Sequence, residues 1–158
     1  MTLEIHKKLT RTQLISMFFT LFLTFLMTSY LLRSAKYGLI SLSAISISLL
    51  INFGLMGWAN LGLNPITVFV ASLAIGIGID YTIHFIARMR QDGIRPAITG
   101  TGRAILFNAL SVCAGFLTLL FAQLVPLRTF GLLIAITMIT ASLGAITVIP
   151  VSYTHLTL

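Results

Sequence analysis

Residues 66–90, ITVFVASLAIGIGIDYTIHFIARMR, form an apolar run that carries a single aspartate in its second half. A helix of roughly 20 apolar residues crosses the hydrocarbon core of a bilayer, about 30 Å. The run is long enough for this, so it predicts a membrane-spanning helix. The other acidic residues, Glu4 and Asp92, lie near polar ends, which leaves Asp80 as the exceptional one.

The composition places the whole chain in a membrane. It has 158 residues, of which 58% are hydrophobic and only 8% are charged. A soluble domain of this size needs a more charged surface. The apolar runs do not alternate in polarity as membrane barrel strands do, which indicates helices. The net charge of +7 does not require nucleic acid, because basic residues of membrane proteins gather in cytoplasmic loops and near anionic lipid.

We predict an all-α, polytopic membrane protein with about five transmembrane helices. Residues 1–13 are interpreted as an extracytoplasmic tail, at the end of a domain that this sequence does not contain. Residues 152–158 are interpreted as a tail whose last residues are not native. The predicted spans, within the block 14–151, cover residues 14–32, 38–58, 66–87, 104–124 and 130–151.

Lysine and arginine predict the orientation. The loops after the first and third spans hold six basic residues, whereas the remaining loops hold only Arg128. The positive-inside rule therefore puts the N-terminus outside and the C-terminus in the cytoplasm. The membrane would be the inner membrane of the cell. Lys7, Lys8 and Arg11 in the N-terminal tail favour the opposite orientation, but the six loop residues outnumber these three and Arg128 together.

The third span carries a stripe of small and polar residues at four-residue spacing: Ser72, Gly76, Asp80 and His84. Such residues share one helix face. Small residues let a neighbouring helix approach closely, and an ionisable group in a membrane normally faces a bundle interior or a water-filled path. We therefore predict that Asp80 carries protons. The alternative is a structural polar contact between helices.

Several neighbours are candidates to support Asp80. Tyr81 can hydrogen-bond to a carboxyl group or to water, although aromatic residues are common in bundle cores. His84 lies one turn nearer the predicted cytoplasmic side and could extend a proton path, or be an ordinary interfacial histidine. Gly78 adds to the close-packing residues of the span.

Small and polar stripes recur on other spans. Tight helix packing with modest hydrogen bonds explains most of them. Asn108 and Ser111 are the better candidates for contact with a proton path. The stripes are Ala44, Ser48 and Asn52 on the second span, Asn108, Ser111, Gly115 and Thr118 on the fourth, and Thr137, Thr140, Gly144 and Thr147 on the fifth.

Other motifs do not support a function. GIGID lacks the third glycine and the preceding strand of a nucleotide-binding loop. Asp80 and His84 are too few to hold a metal ion, and we expect no cofactor. A serine, histidine and acid set for an intramembrane protease is not evident, so we expect no enzymatic activity. Cys113, the single cysteine, excludes an internal disulfide.

GIGIDYTIHFIARMR resembles the fourth-helix motif of one transmembrane half of the resistance-nodulation-division (RND) superfamily, in its MMPL and predicted-exporter branch. The resemblance extends through GRAILFNALSVCAGFLTLLFA, VPLRTFGLL and LGAITVIP, and covers nearly all of residues 13–151. The five-helix block is also similar to the sterol-sensing domain. NALSVCAGF and VPLRTFG are more similar to the C-terminal half, so the spans would be helices two to six of that half.

The resemblance implies export of a hydrophobic or amphiphilic molecule, often a lipid, driven by the proton-motive force. Asp80 would carry the proton, with Tyr81 beside it. The partners would be membrane lipid, the substrate, the other transmembrane half and further copies in an oligomer, with no nucleic acid. Two other readings stay open: a lipid-sensing or scaffolding domain without transport, and an accessory subunit of Sec-type protein translocation.

Overall fold

The computed structural model describes the backbone of residues 2–62 and 65–157, and the side chains of Lys8 and residues 11–62 and 69–153. The described residues form helices joined by short turns. Five of the helical stretches are long and apolar enough to cross a membrane, which confirms the predicted fold class. The helices are α1 (Thr2–Leu31), α2 (Ala35–Trp58), α3 (Pro65–Asp92), the short α4 (Ile94–Pro96), α5 (Arg103–Leu117) and α6 (Val125–Thr157).

The connection between the third and fourth spans differs from the sequence prediction. Residues 88–103 were expected to form the longest loop, but α3 continues to Asp92 and helical structure resumes at Ile94. Gly93 makes the turn alone, with a φ of 88° that glycine adopts without strain. Pro96 lies within the first turn of the new helix, where its missing N–H is not needed.

The new helix reaches the fourth span through a π-helical segment, Ala97–Gly102, and a 3₁₀ turn, Thr118–Phe121, ends that span. At the two chain ends, α1 begins at Thr2 and α6 continues to Thr157. Pro150 lies inside α6. Membrane helices tolerate such a proline because neighbouring groups satisfy the freed backbone.

Helix α6 is the centre of the bundle. It packs against α2, α3 and α5, whereas α1 lies at the edge against α2 and α3. Over half of the apolar stretch of α6 is buried, compared with 6% of that of α1. The α6 residues buried in the main core are Leu133, Ile134, Met138, Ala141, Ala145 and Ile149.

The contact between α2 and α6 combines close approach with polar pairing. A side chain at Gly144 would meet the backbone carbonyl oxygen of Ala44 at 3.3 Å, so the two backbones nearly touch there. One turn along, the hydroxyls of Ser48 and Thr140 lie 2.8 Å apart. Asn52 then donates to the hydroxyl of Thr137. The stripes predicted on these helices thus meet as a packing interface, while Thr147 bonds only within α6.

One end of the bundle is basic and tied together by aromatic contacts. Arg90, in the last turn of α3, donates to the carbonyl oxygen of Leu32 at 2.5 Å and lies over the ring of Tyr37. The Tyr37 ring stacks on that of Tyr153 near the end of α6. The α1–α2 turn and the ends of α3 and α6 therefore lie together, at what we call the basic end. Its basic residues are Arg33, Lys36, Arg88, Arg90, Arg95 and Arg103.

Of the two glycines of α6, Gly131 has less space for a side chain than Gly144. A Cβ atom there would lie 2.5 Å from the carbonyl oxygen of Phe116 and 2.8 Å from the Cβ of Leu119. We predict that Gly131→Ala lowers the free energy of unfolding by about 1–3 kcal/mol, because α5 and α6 must separate. Reversible unfolding in mixed detergent micelles measures the change.

The matched control is Gly54→Ala on α2, where an added Cβ meets nothing within 4 Å. It should leave stability unchanged or raise it by up to about 1 kcal/mol, since alanine is the better helix former. Equal destabilisation by the two variants would contradict the assigned contact between α5 and α6.

Candidate functional site

The stripe predicted on α3 lies on a face that the other described helices leave exposed. Ser72, Gly76, Asp80 and His84 are all exposed, while residues on the opposite side of α3, such as Ile75 and Phe85, are buried. An added Cβ at Gly76 would meet nothing within 4 Å. Among the described residues, no helix covers this face. The neighbouring helix that the small residues predict is therefore not one of the described helices of this chain.

Asp80 lines a cleft of about 720 Å³ between the second half of α3 and the first half of α5. Asp80 is also near the middle of α3, Pro65–Asp92. The lining continues from Asp80 to Gln91 at the basic end, a distance of about 16 Å along a helix. The lining residues are Asp80, Tyr81, His84, Ala87, Arg88, Gln91, Gly100, Thr101, Ala104, Ile105 and Asn108.

Tyr81 joins the cleft wall to the core. Its ring is buried, and its hydroxyl accepts a hydrogen bond from the side-chain amide of Asn108 at 3.3 Å. The same hydroxyl donates to the sulfur of Met138 on α6 at 3.9 Å. Three helices thus meet at one phenol next to Asp80 in the chain. This contact fixes the rotation of α3, and with it the direction in which Asp80 faces.

The predicted site residues divide between the cleft and other surfaces. Asn108 is brought to Tyr81, and His84 lies on the cleft one turn from Asp80. Ser111 and Gly115 are exposed on α5, and Thr118 is exposed in the 3₁₀ turn that follows; all three lie beyond the cleft lining. Gly78 instead faces inward, where an added Cβ would lie 3.4 Å from Ile45 and 3.8 Å from Ala141. Gly78 therefore serves close packing with α2 and α6.

Sequence reasoning missed the basic-end part of the cleft. Arg88 continues the four-residue spacing of Asp80 and His84, and its guanidinium pairs with the Asp92 carboxylate at 2.8 Å. The same spacing relates Ala104 to Asn108 on α5. Gly100 and Thr101 could not be found in this way, because they lie in the π-helical segment, which was expected to be a loop.

The geometry gives Asp80 two different surroundings. Towards the basic end it borders a polar cleft whose lining carries groups that bind water or pass protons: His84, Gln91, Thr101 and Asn108. Towards the open face of α3 it borders the small residues of the stripe. A carboxyl so placed can exchange protons with water on one side and contact another protein surface on the other.

Comparison with known proteins identifies the family to which the chain is similar. The family model described as MMPL matches residues 1–155. The chain is 31% identical over 104 residues to the sulfolipid-1 exporter MmpL8 of Mycobacterium tuberculosis, which covers 60% of this chain and 10% of MmpL8. No solved structure was found to match it.

Two further relatives extend over more of the chain. MmpL12 of Mycobacterium tuberculosis, named a probable transport protein, is 30% identical over 131 residues, or 75% of this chain and 11% of MmpL12. The membrane protein MJ1562 of Methanocaldococcus jannaschii is 26% identical over 127 residues, or 75% of this chain and 33% of MJ1562. The chain therefore spans about a tenth of the length of the MmpL relatives. With five apolar helices and a family match over nearly its whole length, it is a multi-pass membrane protein and belongs to the MMPL family.

Proposed function

We propose that this chain is part of a transporter that exports a hydrophobic or amphiphilic molecule, driven by protons that Asp80 carries. The observation that supports this best is the position of Asp80 at mid-span on a polar cleft that reaches the basic end. The name of MmpL8, a sulfolipid-1 exporter, favours a lipid as cargo. Tyr81 holds the carboxyl's helix in place, and His84 relays protons along the cleft.

The open face of α3 supports a second transmembrane half as the partner. An aspartate at the centre of a lipid-facing helix costs about 2.5–3.5 kcal/mol on insertion scales. Covering Asp80 with protein removes much of this cost. The exposed Ser72 and the free space at Gly76 suit a closely approaching helix, since membrane helices meet at small residues.

The charges support an orientation with the basic end in the cytoplasm. Six basic residues lie at that end. Of the described basic side chains, only Lys8, Arg11 and Arg128 lie at the other end. The chain would then lie in the inner membrane of the cell with its N-terminus outside. Helix α1 spans 30 residues, or about 45 Å, so its first turns project beyond the hydrocarbon core.

We predict that Asp80→Asn in the full-length protein reduces proton-driven export to the background rate, because the amide cannot take up and release a proton at mid-span. Export is measured in energised vesicles with an imposed pH gradient. Insertion and assembly should be unchanged, since asparagine keeps the size and polarity of the side chain.

Asp92→Asn is the matched control. Asp92 lies on the same helix three turns away, at the basic end, and pairs with Arg88. Breaking an exposed ion pair costs at most about 1 kcal/mol, so export should continue. Normal export by Asp80→Asn would instead favour a lipid-sensing or scaffolding domain.

Cysteine labelling tests the cleft and the orientation together. In a background with Cys113→Ser and no other reactive thiols, Gln91→Cys and Thr101→Cys should react with a membrane-impermeant maleimide from the cytoplasmic side. Both positions line the cleft. Gln123→Cys, in the exposed turn before α6, should react only from outside.

Ala141→Cys is the control for buried positions, because Ala141 is only 4% exposed in the bundle core. It should stay unlabelled from both sides. The reversed pattern of sidedness would overturn the proposed orientation. An unreactive thiol at Thr101→Cys, beside a reactive one at Gln91→Cys, would show that water does not enter the cleft.

A further inference from the structure

A second, smaller groove lies on the far side of the bundle, between α1 and α2. Its volume is about 280 Å³, and its lining exposes no polar surface. Phe18, Phe22 and Leu39 form its exposed rims. Its floor consists of the partly buried Leu21, Phe25 and Leu42.

The groove is built by the tight approach of the two helices. A Cβ at Gly38 would clash with the hydroxyl of Ser29 and lie 3.2 Å from the ring of Phe25. Glycine at this position therefore lets the Phe25 ring lie against the start of α2 as part of the groove floor.

The shape and residue types of the groove favour a lipid chain over another helix. Membrane helices associate through small residues that let their backbones approach, whereas aromatic rings and leucines line this groove. A helix with its side chains is also about 10–12 Å in diameter, too wide to enter it. A flexible hydrocarbon chain, by contrast, can follow a narrow apolar surface.

Positive charge lies at the end of the groove that is nearer the membrane surface. Arg33 lies in the turn that joins α1 to α2, Lys36 lies in the first turn of α2, and both are exposed. By helix rise, Lys36 lies about 4.5 Å along α2 from Leu39 in the groove wall. Arg88 and Asp92 form the only ion pair found among the described residues, so no described carboxylate neutralises Arg33 or Lys36.

The backbone of this turn presents Arg33 outward. The amide of Ser34 donates to the carbonyl of Ser29, and that of Arg33 to the carbonyl of Tyr30, as in a Schellman cap. Arg33 occupies the left-handed position of this cap, with a φ of 49°. Glycine or asparagine is usual there, and arginine has a higher conformational energy in this region. The turn nevertheless places a cation at the basic end of the groove.

We propose that the α1–α2 groove binds one acyl chain of an anionic phospholipid, with the lipid phosphate held by Arg33 and Lys36. The lipid belongs to the leaflet at the basic end. The site is on the opposite side of α2 from its contact with α6, so binding does not require the Asp80 cleft.

The test uses phosphatidylglycerol and phosphatidylcholine, each with a photoactivatable diazirine on an acyl chain, in nanodiscs that hold the full-length protein. Phosphatidylglycerol should label residues 18–25 and 39–42 more strongly than phosphatidylcholine does, by a factor on the order of ten, because each basic residue near the surface attracts anionic lipid. Peptide mapping by mass spectrometry gives the ratio.

Two variants, each with a matched control, test the contributions of the headgroup and of the acyl chain separately. The double variant Arg33→Gln/Lys36→Gln should bring the lipid preference down to about one, while Arg95→Gln/Arg103→Gln, which removes two charges at the same end, should preserve it. Leu39→Trp should fill the groove and reduce labelling by both lipids. Leu50→Trp, at an exposed position elsewhere on α2, should not.

Two results would overturn the proposal. One is equal labelling of all lipid-facing positions by both lipids, which indicates ordinary annular lipid. The other is a preference for phosphatidylglycerol that survives loss of Arg33 and Lys36, which places the headgroup elsewhere.

Discussion

Helices α2 and α6 approach each other closely and pair through polar side chains. Lipid is as apolar as leucine, so membrane helices gain little from burying apolar side chains against each other. Their association requires close packing and interhelical hydrogen bonds. Here Gly144 admits the backbone at Ala44, and Ser48 and Asn52 pair with threonines one turn apart. Helices α3 and α5 also pack on α6, so α6 is the element that the three other helices share.

The same packing leaves one side of the bundle open. Each of α3 and α5 uses one face against α6, and the two helices meet each other mainly through the turn and the π-helical segment that connect them. The cleft is the space that remains between them. Tyr81 spans its inner wall, bonded to Asn108 on one side and Met138 on the other. The site therefore forms because α3 and α5 both pack on α6 but separate from each other beyond the segment that connects them.

Much of the fold could be predicted from the sequence, because hydropathy and length alone determine which segments cross a membrane. The stripes that contain Ser48 and Thr140 predicted an interface because small and polar residues at helical spacing have few other uses in lipid. The connection at residues 88–103 could not be predicted, since glycine and proline also mark loops. Here Gly93 makes the turn, while Pro96 is accommodated in a first helical turn.

The candidate site was only partly predictable. Four-residue spacing identified the face that carries Asp80 and His84, but periodicity cannot show which faces of a helix are covered. Gly76 and Gly78 illustrate this limit, since both are small residues in one motif, yet one meets open space and the other packs against Ile45. The side that a stripe faces depends on helix rotation, which the long-range contacts of Tyr81 determine.

As the proton carrier that we propose, Asp80 has to meet two opposing requirements. The carboxyl must reach water to exchange its proton, yet it must be shielded from lipid to avoid the cost of a charge in hydrocarbon. A residue buried in the core of this bundle would meet only the second requirement, and one at the basic end only the first. At mid-span, with the cleft on one side and small residues on the other, Asp80 would meet both if the proposed second half covered the stripe. Under the proposed function, the open face of α3 is therefore the part of the site at which proton uptake would be coupled to movement between two halves.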